Sequence, residues 1–242
     1  MLGFQEIWIR YNKDEAIGFN HAGGKMVATD LARIEHPATA IVMRGVSWQT
    51  YKTLISEVGN DRAWRIAYDQ GVLEIRMPLL EHEVPKGLLE SFIEAIADEL
   101  EIEVMKAGAL TLEREDLTRA VEPDSCFYIQ NEARVRGREA ISLPTDPPPD
   151  LVIESDYTNS SINKQSLYSA LGVPELWRYT KKSLLVYSRV EGGYKFSDRS
   201  LAFPFLPIAE VADFIEQSRE IGQRSSVRSF RQRIQEILAN QE

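Results

Sequence analysis

Short apolar runs alternate with amphipathic segments along most of the chain, and this alternation predicts an α/β fold. Two strand patterns, Trp64–Tyr68 and Val72–Arg76, flank the turn residues Asp69-Gln70-Gly71 and predict a β-hairpin. Apolar residues at helical spacing predict one helix within residues 47–58 and another over about residues 84–100. Residues 1–45 show no comparable pattern and are predicted to form an irregular extension.

The chain is organised around Leu151–Ile153, a short apolar run that predicts a buried strand. An acid stands at each end of this run, Asp150 and Glu154. Side chains alternate along a strand, so both acids face the same way, but four residues of strand separate them by roughly 13 Å. Oxygen ligands lie about 2 Å from a magnesium ion. A metal held by Glu154 therefore needs its second carboxylate from another strand.

A helix is predicted after the polar loop that follows this strand. Ser160 or Ser161 is a suitable N-cap, and Gly172 and Pro174 mark its end. Four helix residues recur at the spacing of one inward face: Lys164, Leu167, Tyr168 and Leu171. A lysine at the head of such a stripe either belongs to the inward face or extends its ammonium group into solvent from the helix edge. Spacing alone leaves both alternatives open.

The remaining periodic segments predict further strands and a C-terminal helix. The strand patterns are Ile102–Glu113 with a break near Gly108, Glu122–Ile129 with Asp124 near its start, Glu175–Tyr179 and Ser183–Arg189. Ser226–Leu238 predicts a helix whose apolar stripe is Val227, Phe230, Ile234 and Ile237. This 3-4-3 spacing is that of a helical seam in a homodimer. The alternative is that the stripe packs on the chain's own core.

Composition limits the classes of function. The chain has 242 residues with 43% hydrophobic content and a formal net charge of −9, so any basic surface for nucleic acid must be local. No apolar run approaches a membrane span, and no signal peptide is expected, so we expect no membrane partner. A single cysteine, Cys126, excludes an internal disulfide and favours a cytoplasmic location.

Three acids and a lysine stand in an order that suits phosphodiester chemistry: Glu81, Asp124, Glu154 and Lys164. Neighbouring strands bring side chains within about 5 Å of each other. Asp124 and Glu154 could then hold one hard divalent cation, Mg²⁺ or Mn²⁺, with waters completing its shell. A nearby lysine could orient a water molecule or offset charge in the transition state. Two acids and a lysine occur in most proteins, so composition alone does not select this site.

Several motifs resemble the Uma-two family of endonucleases, a branch of the PD-(D/E)xK restriction-endonuclease-like superfamily. The similar segments are Tyr68–Glu74 for the family's hairpin, Met77-Pro78 with Glu81-His82 for its helix entry, Glu122-Pro123-Asp124 for its "PD" strand, Pro149–Glu154 for "PDLVVE", and Lys164, Tyr168 and Gly172–Trp177 for "K…Y…GVPEYW". The resemblance runs from about residue 47 to about residue 210. It implies a restriction-endonuclease-like core with a mixed central sheet flanked by helices and an N-terminal β-hairpin.

The resemblance also implies roles for individual residues. Asp124 corresponds to the superfamily's strand aspartate and Glu154 to the acid of its D/E-x-K element, which makes both of them metal ligands and catalytic residues. The lysine expected two residues later is absent, because position 156 is Asp156. In this family the lysine moves to the following helix, where Lys164 stands, and Glu81 is a further catalytic candidate. The predicted organisation is an extension at 1–45, the nuclease-like domain at 46–220 and a basic helix at 221–242.

Three functions compete on these grounds. The first is a metal-dependent endonuclease that cuts DNA, with a homodimer supplying one site for each strand. The second is a catalytically inactive protein that keeps the nuclease fold as a DNA- or protein-binding module, which the acidic charge and altered motifs favour. The third is a structural, self-associating protein. Asp150, His82 and Cys126 are predicted to be structural, and Glu74 is left open between a structural and a functional role.

Overall fold

The computed structural model describes residues 6–10, 16–22, 25–28, 40–59, 62–77, 80–155, 160–180 and 182–240. The chain divides into two compact units. The first unit comprises Met1–Leu79, Thr111–Glu122 and Thr158–Leu167. The second unit comprises Leu80–Leu110, Pro123–Tyr157 and Tyr168–Glu242. Each unit has its own sheet, and the chain passes between the units several times.

The strands and helices of the described residues are numbered in chain order. The strands are β1 (Glu6–Arg10), β2 (Ala16–Ala22), β3 (Lys25–Ala28), β4 (Ala40–Arg44), β5 (Arg65–Asp69), β6 (Val72–Arg76), β7 (Met105–Lys106), β8 (Leu112–Arg114), β9 (Arg119–Val121), β10 (Ser125–Tyr128), β11 (Leu151–Ser155), β12 (Glu175–Thr180), β13 (Ser183–Val190) and β14 (Gly193–Ser197). The α-helices are α1 (Trp48–Val58), α2 (Leu80–Leu100), α3 (Glu132–Val135), α4 (Lys164–Ala170), α5 (Ile208–Ile221) and α6 (Gln223–Ala239).

The first unit is built on an antiparallel sheet with the strand order β3-β2-β1-β4-β6-β5-β9-β8. The predicted hairpin is confirmed as β5 and β6, which are joined by Gln70 and Gly71. Both turn residues have positive φ, 46° and 97°, as a two-residue turn matched to strand twist requires. Helix α1 begins at its predicted cap, where the Ser47 hydroxyl accepts a hydrogen bond from the Thr50 N–H at 3.1 Å.

The prediction of an irregular extension over residues 1–45 is wrong for its described residues. β1 pairs with β2 and with β4, and β4 pairs with β6 of the hairpin. The reason the prediction failed is that the strands carry little pattern: in Glu6–Arg10, a charged residue at each end flanks only three apolar residues, Ile7, Trp8 and Ile9. Such short strands gain stability from cross-strand pairing, which sequence periodicity does not report.

The second unit contains the mixed sheet that was predicted, with the order β14-β13-β12-β11-β10-β7. β11 and β12 run parallel, while the other neighbouring pairs are antiparallel. Helices α2 and α5 pack on one face of this sheet, α6 packs on both of these helices, and all three share its apolar core. Core residues of the strands on that face are Phe127, Leu151, Ile153, Trp177, Tyr179, Leu184 and Val186. The opposite face carries the alternate residues of the same strands.

The predicted strand Ile102–Glu113 is divided between the two sheets. β7 pairs with β10 in the second unit, whereas β8 pairs with β9 in the first. The boundary between the units lies between Leu110 and Thr111. Gly108, with φ of 60°, lies in the segment between the two strands, where the sequence predicted a break.

Helix α6 uses its apolar stripe inside the second unit. Val227, Phe230 and Ile234 are buried, and the Phe230 ring stacks on Phe92 of α2 with 4.3 Å between centroids. Ile237 also packs against this core. Of the two alternatives, the stripe therefore packs on the chain's own core, and this packing occupies the surface that a dimer seam would need. Two of the helix arginines pair with acids of α2 and α5.

Candidate metal-binding site

The strands β10 and β11 bring Asp124 and Glu154 together. Their antiparallel register pairs Ser125 with Ile153, so one further step places Asp124, immediately before β10, opposite Glu154. Asp124 is also bonded to the residue that follows Glu154, because the Ser155 N–H donates a hydrogen bond of 2.7 Å to Asp124 Oδ2. Two acids that are 30 positions apart in the sequence thus become neighbours across one strand pair.

Both acids belong to the sheet face that the core helices do not cover. Ile153 and Phe127 point into the core between the sheet and helices α2, α5 and α6. Alternation therefore directs Glu154 and Cys126 to the other face. Glu154 is only 2% exposed, whereas Asp124 is partly exposed. The pair thus combines one buried carboxylate with one that solvent can reach.

Tyr168 of α4 holds the buried carboxylate. Its hydroxyl donates a hydrogen bond to Glu154 Oε1, and both side chains are buried. Burial raises the pKa of the Tyr168 hydroxyl well above its usual range, and the nearby charges of Glu154 and Asp124 raise it further. The phenol therefore stays protonated and acts as a hydrogen-bond donor. The sequence placed Tyr168 on the inward face of its helix, but it did not indicate the acid that Tyr168 contacts.

Cys126 lies beside this pair as an inert thiol. Its side chain is fully buried, and burial raises the pKa of the thiol to about 12. A thiol with so high a pKa provides almost no thiolate near neutral pH. This agrees with the structural role predicted for Cys126.

Lys164 and Glu81 each lie at the start of a helix. Lys164 is the first residue of α4 and is partly exposed, one helical turn before Tyr168. Glu81 is the second residue of α2, and its side chain lies outside the described part of the structure. Their catalytic roles stay predictions.

Glu74 has a clear structural function in the first unit. Its buried carboxylate accepts hydrogen bonds from the Ser160 hydroxyl at 2.7 Å and from the Ser161 N–H at 2.6 Å, and it pairs with Arg76. These bonds fix the chain just before Lys164. They account for a buried acid in the family's hairpin motif.

Asp150 is also structural, as the sequence predicted. Asp150 Oδ2 accepts hydrogen bonds from the N–H groups of Ile129 and Asn131 at 2.7 and 2.9 Å, and the Asn131 side chain donates to the other oxygen. The carboxylate therefore holds the turn that leaves β10.

Glu175 explains part of the Gly172–Trp177 motif. This fully buried acid accepts hydrogen bonds from the Trp177 indole at 2.7 Å and from the N–H groups of Leu201 and Ala202 at 2.9 and 2.8 Å. Burial raises the pKa of the Glu175 carboxyl above its usual range, against the lowering effect of these hydrogen bonds. The hydrogen bonds of Glu175 thus attach the loop that follows β14 to strand β12.

The donor set of Asp124 and Glu154 fits a hard divalent cation. Carboxylate oxygens are the ligands that Mg²⁺ prefers, and this ion is commonly bound through one or two carboxylates while it keeps several waters. Within the described ranges, no group of three or more His, Cys, Asp or Glu side chains could hold a metal. The two acids therefore suit an ion that completes its shell with water and a substrate phosphate better than a closed structural metal site.

In the described part of the chain, no helix is both long enough and apolar enough to cross a bilayer.

Comparisons with known proteins agree with the family that the sequence motifs resemble. Residues 48–214 match the model of the Uma2 family, described as "Putative restriction endonuclease". Among solved structures, the chain is similar to a crystal structure from Anabaena variabilis described as "a putative nuclease belonging to DUF820". That similarity has 16% sequence identity and a TM-score of 0.47, and it covers 75% of this chain and 99% of that chain. No curated protein matches the chain.

Proposed function

The chain belongs to the Uma2 family of restriction-endonuclease-like proteins, and from this premise we propose that it is a metal-dependent endonuclease that hydrolyses DNA phosphodiester bonds. The observation that carries the proposal is the pairing of Asp124 with Glu154 across β10 and β11. The family match covers both acids, and they share one face of the sheet. A nuclease of this kind needs an acidic pair of this type at a sheet face that DNA can approach.

Asp124 and Glu154 would hold Mg²⁺ or Mn²⁺, which lowers the pKa of bound water and stabilises negative charge on a phosphate oxygen. Tyr168 positions the pair, because its hydrogen bond fixes one oxygen of the Glu154 carboxylate. The Ser155 N–H does the same for Asp124 Oδ2. Both carboxylates are thus oriented before any ligand arrives, which reduces the cost of ordering them on binding.

We assign Lys164 the role of the catalytic lysine. The family match supports this role, because it covers Lys164, which heads helix α4. An ammonium group at the reaction centre would orient the attacking water or offset charge on the phosphate. Glu81 is retained as a further acid at the start of α2 that could accept a proton from that water.

The test is a set of single variants measured in two assays. We expect Asp124→Asn and Glu154→Gln to lose both manganese binding, measured by isothermal titration, and plasmid nicking. We expect Lys164→Ala to lose nicking by roughly a hundredfold or more, the scale for loss of one transition-state charge contact, while it keeps manganese affinity. Glu191→Gln, an exposed acid in the turn between β13 and β14, is the matched control and should behave as the parent does.

Several outcomes would contradict parts of this proposal. Unchanged manganese affinity in Glu154→Gln would remove the metal site from this strand pair. A Lys164→Ala variant that nicks as fast as the parent would show that the lysine is only a solvated residue at the helix edge. Cleavage by none of the proteins, with DNA binding retained by the parent, would favour the inactive binding module. Asp156 at the position of the superfamily lysine is the observation that keeps this second function in view.

Two further parts of the proposal concern partners and location. Cutting both strands of a duplex calls for two active sites, so we propose a homodimer on DNA, formed through a surface other than the buried stripe of α6. Sedimentation that gave only monomer at micromolar concentration would contradict it. The cytoplasm is the compartment we propose, from the single cysteine of the sequence.

A further inference from the structure

Arg178 lies on the strand next to Glu154, and no motif of the sequence singles it out. β11 and β12 run parallel, and their register pairs Glu154 with Arg178. Paired residues of neighbouring strands lie about 5 Å apart and point to the same face. Asp124, Glu154 and Arg178 therefore form one row across three adjacent strands, with the buried acid in the middle.

The direction of the Arg178 side chain follows from its neighbours. Trp177 and Tyr179 belong to the core beneath α2, α5 and α6. Arg178 therefore points to the other face of the sheet, the face of Glu154. On its far side, β13 places Leu185 opposite Arg178, and Leu185 carries no charge. The nearest acids of the sheet register are thus those of the proposed site.

Among the described residues, no acid pairs with Arg178. Its side chain is partly exposed, and the described residues include none that forms an ion pair or hydrogen bond with its guanidinium. The arginines of α6 differ, since Arg231 pairs with Glu99, and Arg233 forms a bidentate pair with Glu210. In a chain with a net charge of −9, a cation that is left available beside two carboxylates suits an anionic ligand.

We propose that Arg178 is a phosphate-binding residue of this site, and that its guanidinium holds a non-bridging oxygen of the DNA phosphate that approaches Asp124 and Glu154. The inference rests on the proposed function and adds to it the group that recognises the substrate backbone. Two carboxylates repel a phosphodiester, and one arginine in the same row offsets that repulsion. The planar guanidinium fork can donate two hydrogen bonds to one phosphate, which a lysine cannot do.

The experiment measures binding of a short DNA duplex to the full chain with calcium in place of magnesium, over a series of salt concentrations. We expect Arg178→Ala to weaken binding roughly tenfold to a hundredfold, the range for a hydrogen bond to a charged group, and to do so equally for unrelated DNA sequences. The slope of log affinity against log salt should fall by about one. Arg178→Lys should keep the slope and recover only part of the affinity.

Two controls separate this role from a structural one. Arg228→Ala removes the same charge from α6, whose core contacts lie on the other face of the sheet, and it should leave affinity and slope as in the parent. Arg178→Ala should keep the thermal stability of the parent and at least its manganese affinity, because no described residue pairs with the guanidinium. A fall in stability that accounts for the lost binding would overturn the inference.

Failure of the inference and failure of the proposed function can be told apart. If Arg178→Ala binds DNA with the affinity and salt slope of the parent, Arg178 does not bind phosphate, whether or not the parent cleaves. If the variant loses DNA affinity and salt slope as expected but the parent never cleaves DNA, the phosphate-binding role of Arg178 is retained and the proposed hydrolysis is wrong. If the parent binds no DNA, both are overturned.

Discussion

Replacing Tyr168 with phenylalanine removes one oxygen atom from a buried contact and changes little else. In the folded protein the phenol donates its hydrogen bond to Glu154, and both side chains are buried. Phenylalanine fills the same space without the donor, so the Glu154 carboxylate loses a partner that it cannot replace with bulk water. A hydrogen bond to a charged group contributes about 1.5–3 kcal/mol, and we expect Tyr168→Phe to lower the free energy of unfolding by about that amount.

The dependence of this loss on metal makes the prediction specific. In the metal-free protein, the Glu154 carboxylate that loses the hydrogen bond stands beside a second acid, Asp124, and no cation offsets their charge. A divalent cation at the pair would compensate part of the carboxylate charge. Saturating manganese should therefore restore a measurable part of the stability of Tyr168→Phe, in addition to its effect on the parent. The measurement is urea unfolding of both proteins in EDTA and in manganese.

Tyr128→Phe is the matched control. Tyr128 is equally buried, but its hydroxyl donates to a neutral acceptor, the Pro147 carbonyl oxygen, at 3.1 Å. We expect a smaller loss, about 0.5–1.5 kcal/mol, that manganese does not change. The reasoning is refuted if the free energies of unfolding of Tyr168→Phe and the parent agree within about 0.5 kcal/mol, which is less than a hydrogen bond to a charged group usually contributes. It is also refuted if its loss is the same in EDTA and in manganese.

Two further predictions concern buried acids outside the metal site. Because burial raises the folded-state pKa of Glu175, its contribution to stability is fully present below the unfolded value of about 4.5 and is lost as pH rises through the folded value. The free energy of unfolding of the parent, relative to Glu175→Gln, should therefore decline from about pH 4.5 upward, and a difference that grows with pH would contradict the assignment. Asp150→Ala leaves two backbone N–H groups without their acceptor, so we expect it to cost about 3 kcal/mol in urea unfolding. Asp116→Ala, at an exposed ion pair, should leave the stability close to that of the parent.

Local features of the sequence determined much of the second unit and the hairpin of the first. Gln70-Gly71 between two strand patterns specifies a tight turn by backbone sterics alone, and the turn formed there. The apolar run Leu151–Ile153 specified a buried strand, and the helical spacing that follows it specified α4. The family motifs added Asp124 and Glu154 as candidates, because short motifs record chemistry that composition does not.

The extension of residues 1–45 shows where local reasoning failed. Strands β1 to β4 pair with one another and, through β4, with β6 of the hairpin, so their stability comes from cross-strand partners. A segment of this kind has no period of its own that distinguishes it from a loop. The stripe of α6 was ambiguous for a related reason, since the same spacing serves a partner helix and an internal core. Only the packing of Phe230 on Phe92 decided between them.

The candidate site itself depends on contacts between residues that are distant in sequence. The sequence supplied the acids, but strand register decided that Asp124 faces Glu154 and that Arg178 stands on the other side of Glu154. The site also depends on Tyr168 of the next helix, whose hydroxyl donates a hydrogen bond to the buried Glu154 carboxylate. Register is set by which faces are buried, and a shift of β11 by one residue would turn Glu154 towards the core. The sequence thus determined the chemical groups, and the tertiary structure decided which of them meet.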